Sequence, residues 1–396
     1  MRQNPAAPID PVALGAALRP FGQSRTLPAE AYTGREIFAW EQRHLFAGSW
    51  TCLGRADEVR DGQSQRAVTV GGIGLLLTFP DDTVRAFANV CRHRGHELLP
   101  DGGAADRIAV VCPYHGWAYR LDGTLTTATA MRDVAGFDPA GHGLVELPAA
   151  VWAGWLFVNA AGSAPPFAGH LGELDGLLRP YRPAELRLRA AHDYRVAANW
   201  KVIVENYQEC YHCPQIHPEL CRVSPPGSGH NWELPGAWVG GSMDLRDHAE
   251  TMSTDGRGAG VFIDGAPRRT VRYLALFPNL LVSAHPDYVM THRLWPVEPG
   301  VTEVECRWYF PGEITDPAYA VDFWDLTNRQ DWAACESVQR GVGSPHFRPG
   351  PLAPNEDAVY RWTTMIARAY ANGGLDPAVL DPAGCPSPSS GHVTNE

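Results

Sequence analysis

Cys91 and His93 are separated by one residue and Cys112 and His115 by two, with residues 94–111 between the pairs. Gly95, Pro113 and Gly116 place each pair in a loop at the end of a β-like run, so two loops could close on one metal centre. Two thiolates on one iron and two imidazoles on the other hold a two-iron two-sulfur cluster of raised reduction potential. The order Cys, His, Cys, His supplies that set if each loop gives one ligand to each iron. Two Cys and two His could also hold a structural zinc in a tetrahedral site. Zinc fingers usually pair Cys with Cys and His with His at wider His spacing, and the flanks CRHRGH and CPYHGWAY favour the cluster. His96, just outside the motif, reads as a surface residue or a neighbour of the ligands.

A second constellation lies in NWKVIVENYQECYHCPQIHPEL, Asn199 to Leu220, where Glu209, His212 and His217 fall within one short stretch. Glu209 and His212 would share a helix face. His212 and His217 are five positions apart, about 140° on an ideal helix, and Pro214 and Pro218 oppose a continuous helix. His217 is therefore expected where the helix has broken, able to swing back to the same ion. Two neutral imidazoles and one carboxylate with open positions form the ligand set of O2-activating Fe(II). The carboxylate must come from elsewhere: Asp331 in DFWDLTNRQDWAACESVQRG is preferred, with Asp322, Asp325 and Glu336 as rivals. Other readings are a hydrogen-bonded core His pair, or zinc held with Cys210 and Cys213.

The elements that must position these residues change character along the chain. Residues 1–45 form a lead-in, helical over about Glu30 to Phe46, that packs on a larger body. Residues 46–160 carry short apolar or alternating runs (AVTVGGIGLLLTF, IAVVCPYHGW, GWLFVN) punctuated by Gly, Asp and Pro, the pattern of an all-β domain. AGSAPPFAGH, 160–169, makes the boundary. Residues 161–380 form a second domain. It has a helix candidate from Asn199 to Tyr211, β-rich runs (RTVRYLALFPNLLVSA, YVMTHRLWPV, TEVECRWYF), an amphipathic helix over Pro317 to Arg340 and another over Glu356 to Asn372. Residues 381–396 read as a flexible tail.

At 396 residues the chain fits two unequal domains. Its 44% hydrophobic and 19% charged residues are those of a globular protein, and its net charge of -11 argues against a nucleic-acid partner. No signal peptide or membrane span is read, so the expectation is a cytoplasmic protein. In that reducing compartment the nine cysteines should be free thiols or metal ligands.

Together the two motifs resemble the catalytic α subunit of Rieske-type non-heme iron oxygenases, over about residues 40–370. That group includes aromatic-ring hydroxylating dioxygenases and the monooxygenases or demethylases of quaternary ammonium compounds. The resemblance implies an α+β fold: an all-β Rieske iron-sulfur domain plus a catalytic domain of antiparallel β-sheet with helices, of helix-grip type. It places one 2Fe-2S cluster on Cys91, His93, Cys112 and His115, and one mononuclear Fe(II) on His212, His217 and Asp331, the QDWAACESVQRG context being similar to the family's closing motif. It implies a head-to-tail homotrimer in which Glu209 bridges an iron His to a cluster His of the next subunit. Glu at this position, where many ring dioxygenases have Asp, is similar to the quaternary-ammonium branch. Glu205 on the same helical face could line that path or lie at the surface, and Asn206 and Tyr211 flank the site.

No flavin or nicotinamide fingerprint is present, so NAD(P)H electrons would arrive through a separate flavin/iron-sulfur reductase, with or without a ferredoxin. The reaction implied is O2-dependent hydroxylation next to a quaternary nitrogen in a betaine-like compound, giving N-demethylation or C–N cleavage. Trp232, Trp238, Tyr273, Tyr288 and Trp295 are candidates to hold the cation by cation–π attraction. The alternative is ring hydroxylation, or O-demethylation of an aromatic acid. An electron-transfer protein without oxygenase chemistry would need only the first motif, and the second argues against it.

Overall fold

The runs of residues 49–158 fold as strands because aliphatic side chains alternate with polar ones or are buried on both faces: Ala67 and Val70 in Gln65–Val70, and Leu75, Leu76 and Leu77 in Ile73–Thr78. The computed structural model describes residues 5–375, and the tail expected at 381–396 lies outside the described residues. The chain divides into two compact units, one Ala39–Phe167, the other the segments up to Phe38 and from Ala168 onward.

These boundaries differ from the expected 45/46 and 160/161, and for the second of them Asn159 supplies the reason. Its buried amide donates to the carbonyls of Ala47 and Ser49 and accepts from the N–H groups of Ser163 and Ala164. Trp50 donates to the Pro165 carbonyl, and its ring meets Phe167. The proline-bearing stretch is thus held against the β unit.

That unit contains a five-stranded antiparallel sheet and two three-stranded ones, one of the latter formed by Ala109–Val111, Ala118–Arg120 and Leu125–Thr127. The other unit is built on a seven-stranded antiparallel sheet. Its order is Arg187–Val196, Val301–Phe310, Val289–Glu298, Leu280–Ala284, Thr270–Leu276, Trp238–Asp244 and His230–Asn231. The long helix Ala318–Val342 packs on it, burying Ala320, Val321, Phe323 and Trp324 against Val271, Met290, Cys306, Trp308 and Phe310. Burying each such aromatic or aliphatic side chain stabilises the fold by about 1.5–3 kcal/mol. Helix Asp357–Asn372 adds Trp362, Ile366 and Tyr370 to the core, with the Trp362 ring 5.8 Å from that of Trp200. One unit of antiparallel sheet gripped by helices and one all-β unit make the α+β architecture expected.

Among the described residues no helix is long and apolar enough to cross a membrane.

Candidate functional site

In the β unit, Cys91 and Cys112 open two loops of the same form. The carbonyl of Cys91 accepts from Gly95 N–H at 3.0 Å and that of Cys112 from Gly116 N–H at 3.1 Å. Gly95 and Gly116 have φ of 76° and 73°, a left-handed turn that costs a residue with Cβ free energy. Both thiols are buried, and the Tyr119 hydroxyl lies 3.3 Å from Cys91 Sγ. His93 stacks on Trp117 with centroids 4.9 Å apart, and the His93 and His115 rings stand 4.8 Å apart. Both rings are half-buried, yet Nδ1 of each is buried without a hydrogen-bond partner. Unpartnered buried nitrogens are costly, and here they accompany two buried thiols. This donor set fits a Cys2His2 two-iron cluster. His96 is exposed, with Nδ1 against the Glu97 carbonyl.

In the sheet-and-helix unit, Asn199 caps helix Trp200–Tyr207, accepting from Lys201 N–H at 3.0 Å. The helix stops at Tyr207, short of the expected Tyr211, because the Glu209 carboxylate takes the N–H groups of Tyr211 and His212 at 2.5 and 3.1 Å. Glu209 and His212 therefore do not share a helix face. They meet through this turn, where Glu209 Oε1 accepts from His212 Nδ1 at 2.5 Å. His217 sits between the short helices Cys213–Ile216 and Pro218–Val223, with φ -119° and ψ 66°. This is the break that Pro214 and Pro218 require.

Asp331 reaches the same point from helix Ala318–Val342. His217 Nε2 is 2.9 Å and His212 Nε2 3.4 Å from Asp331 Oδ1, and the two Nε2 atoms are 3.2 Å apart. Gln330 Oε1 accepts from His217 Nδ1 at 2.7 Å. With each Nδ1–H donated to an acceptor, both Nε2 lone pairs converge on a carboxylate oxygen, an arrangement that calls for a cation. The same demand moves the titrations. Burial disfavours the charged imidazole of His212, but its hydrogen bonds to Asp331 and Glu209 outweigh this and raise it to about 9. His217 is raised despite burial by its bond to Asp331, and Asp331 is lowered against burial by the two His bonds. A divalent metal in place of protons fits this triad, whose donor atoms all lie within 4.8 Å of one another.

The rival carboxylates are engaged elsewhere or exposed. Asp325 accepts from Tyr194 Oη at 2.7 Å and Arg329 Nε at 2.8 Å, Glu336 accepts from Ala197 N–H at 3.1 Å, and Asp322 is exposed. Glu205 is held by the Tyr32 hydroxyl at 2.9 Å and does not line the cavity beside the triad, whereas Asn206 does; Tyr211 is exposed. Cys210 and Cys213, expected as free thiols or metal ligands, are joined by a disulfide. The turn that seats His212 brings their Cα atoms to 4.9 Å, within bridging range.

A cavity of about 510 Å³ opens onto the triad. Its wall includes Tyr207, Tyr273, Trp324 and Trp332, with the Tyr207 and Tyr273 rings 5.9 Å apart and edge to face. Of the expected aromatic candidates only Tyr273 lines it. Tyr288 is buried against His285, Trp238 donates to the Pro235 carbonyl, and Trp232 and Trp295 lie beside Arg272 and Arg293. Tyr207, Trp324 and Trp332 stand in the very segments that carry the metal motif, a signal that was available in sequence.

Residues 49–138 match the family described as Rieske [2Fe-2S] domain, and residues 183–372 match the ring hydroxylating alpha subunit (catalytic domain). The chain is 31% identical over 368 residues to the glycine betaine monooxygenase oxygenase subunit of Chromohalobacter salexigens, covering 83% of this chain and 82% of that one. It is 32% identical over 336 residues to the carnitine monooxygenase oxygenase subunit of Escherichia coli K12, covering 82% and 86%. Among solved structures, a quaternary ammonium Rieske monooxygenase superposes with TM-score 0.72 at 24% identity, covering 92% of this chain and 99% of that one. Naphthalene 1,2-dioxygenase from Rhodococcus sp. superposes with TM-score 0.66 at 19% identity, covering 91% and 95%. These two structural likenesses speak for the fold.

Proposed function

The chain belongs to the Rieske-type non-heme iron oxygenases, a family that carries a 2Fe-2S cluster and a mononuclear iron and draws its electrons from a reductase, and from that membership we propose that it hydroxylates a carbon bonded to a quaternary nitrogen. The product would be an aldehyde and an amine, by N-demethylation or C–N cleavage. The observation that carries this reading is the aromatic wall of the cavity at the His212, His217 and Asp331 triad. An aromatic face attracts a desolvated cation by about 0.5–2 kcal/mol. The similarity to glycine betaine and carnitine monooxygenase subunits supports the same substrate class.

In this proposal His212, His217 and Asp331 hold the iron, Cys91 and Cys112 hold one iron of the cluster, and His93 and His115 hold the other. The mononuclear iron supplies reductive O2 activation. Glu209 fixes the His212 ring so that Nε2 faces the metal, and Gln330 does the same for His217. The cavity wall holds the substrate and limits water at the reacting carbon. In a head-to-tail homotrimer Glu209 would also bridge His212 to a cluster histidine of a neighbouring subunit, offering a hydrogen-bonded path along which electrons could reach the iron site. Inter-subunit electron transfer has been described for the solved quaternary ammonium monooxygenase, which supports this route. A flavin/iron-sulfur reductase, with or without a ferredoxin, delivers NAD(P)H electrons in the cytoplasm.

The test is O2 uptake by the iron-loaded protein with NADH and a reductase, across a panel of quaternary ammonium compounds and aromatic acids. Uptake stimulated by the quaternary compounds with release of aldehyde is expected. Stimulation by aromatic acids alone would replace the substrate class with ring hydroxylation or O-demethylation.

A further inference from the structure

Trimethylammonium substrates come in two electrostatic kinds: cations with a neutral tail, and zwitterions whose tail ends in a carboxylate. Resting on the substrate class proposed above, we infer that the cavity selects the net cation over the zwitterion, and that Asp357 is the residue that sets this preference.

A carboxylate taken into a partly apolar cavity needs a partner, most effectively an Arg fork. Among the described residues that line the cavity there is neither Arg nor Lys. Besides the two triad histidines, His230 and His292 line it: His230 is exposed, next to the Asn231 that contacts Asp357, and His292 is buried and neutral, burial pulling its imidazole down to about 4 despite a bond to Asn328. The acids that line it are Glu209, Asp331 and Asp357. Glu209 and Asp331 are committed to the two histidines.

Asp357 stands at the start of helix Asp357–Asn372, its side chain 29% exposed and its Oδ1 accepting from Asn231 Nδ2 at 2.6 Å. The nearest guanidinium, Arg361, is 3.7 Å away and is shared: it also pairs with Glu233 and donates to the Trp232 carbonyl. Arg361 is thus shared between two carboxylates and does not pair with Asp357 alone. Away from the metal triad, a substrate carboxylate entering the cavity therefore meets the like charge of Asp357 and no Arg or Lys to offset it, whereas a trimethylammonium group meets aromatic faces and a carboxylate.

Choline and glycine betaine share the trimethylammonium head and differ in the tail, a hydroxymethyl against a carboxylate, so they form the matched pair for the test. Coupled turnover by the wild-type holoenzyme should favour choline in kcat/KM by about tenfold or more, equivalent to about 1.4 kcal/mol. Asp357→Asn should shrink that ratio by a similar factor, mainly by raising KM for choline, with iron content and the cluster's visible spectrum as in wild type. A wild-type preference for glycine betaine would overturn the inference and leave the quaternary-ammonium reading standing. An Asp357→Asn ratio equal to wild type would remove Asp357 from the role. Turnover of neither compound, with aromatic acids coupled instead, would overturn both readings.

Discussion

Asp331 and Glu209 are both carboxylates in contact with His212, yet they should fail differently. Asp331 supplies a donor oxygen to the triad, so Asp331→Ala should lower bound iron from about three atoms per chain to about two. The cluster's visible spectrum should persist, and retention of full iron would assign the third donor elsewhere. Glu209 acts through Nδ1 of His212, so Glu209→Gln should keep both metals while slowing reduction of the iron site by about 10–100-fold, the usual effect of losing a ligand's hydrogen-bond partner. Stopped-flow reduction followed by a single O2 turnover separates the two. Glu205 makes a third case, its carboxyl raised from 4.5 to about 7 by burial, against the opposing bond from Tyr32. Between those values the folded chain holds a proton that the unfolded chain releases, so this group's contribution to stability falls as pH rises through the window and is constant above it. Glu205→Gln keeps the Tyr32 bond and should reduce the loss of Tm between about pH 5 and about pH 8; an unchanged slope would mean that Glu205 is ionised in the fold.

Helix Ala318–Val342 carries both the triad's carboxylate and the apolar stripe that fixes it, Val321, Phe323 and Trp324 packing on the sheet face. Phe323→Ala should cost about 3–5 kcal/mol and loosen the iron site along with the helix. Thermal unfolding and iron retention would both report it, and a stable, iron-replete variant would separate the site from this packing. The same elements show what could be read in advance. The two Cys–His loops were legible because their Cys and His residues are close in sequence and Gly95 and Gly116 mark the turns. The long helix was legible from its amphipathic pattern, but a helix bearing several carboxylates does not say which one faces inward, so resemblance had to strengthen the choice of Asp331. The stop at Tyr207 was not legible, since it depends on Glu209 capping N–H groups ahead of it, and that turn also brings Cys210 and Cys213 together. Of the cavity wall, Tyr273 was among the candidates, whereas Tyr207, Trp324 and Trp332 escaped although they lie in the metal-motif segments, because only tertiary packing turns them toward one cavity.

At the scale of the whole molecule, the proposed electron route runs from one subunit's cluster to the next subunit's iron. Two inactive chains, one lacking His115, the proposed cluster ligand, and the other lacking Asp331, test it by mixing. In a randomly mixed homotrimer an intact cluster would face an intact iron site at about a quarter of the interfaces. Co-expression should therefore restore about a quarter of wild-type turnover if electrons cross the interface, and none if each chain supplies its own. The central claim, a two-centre oxygenase acting next to a quaternary nitrogen, is tested most directly by the stoichiometry of a coupled turnover with a trimethylammonium substrate. The account predicts one O2 and one NAD(P)H consumed per aldehyde released, abolished by Asp331→Ala. O2 uptake that yields hydrogen peroxide without aldehyde for every quaternary substrate would contradict it.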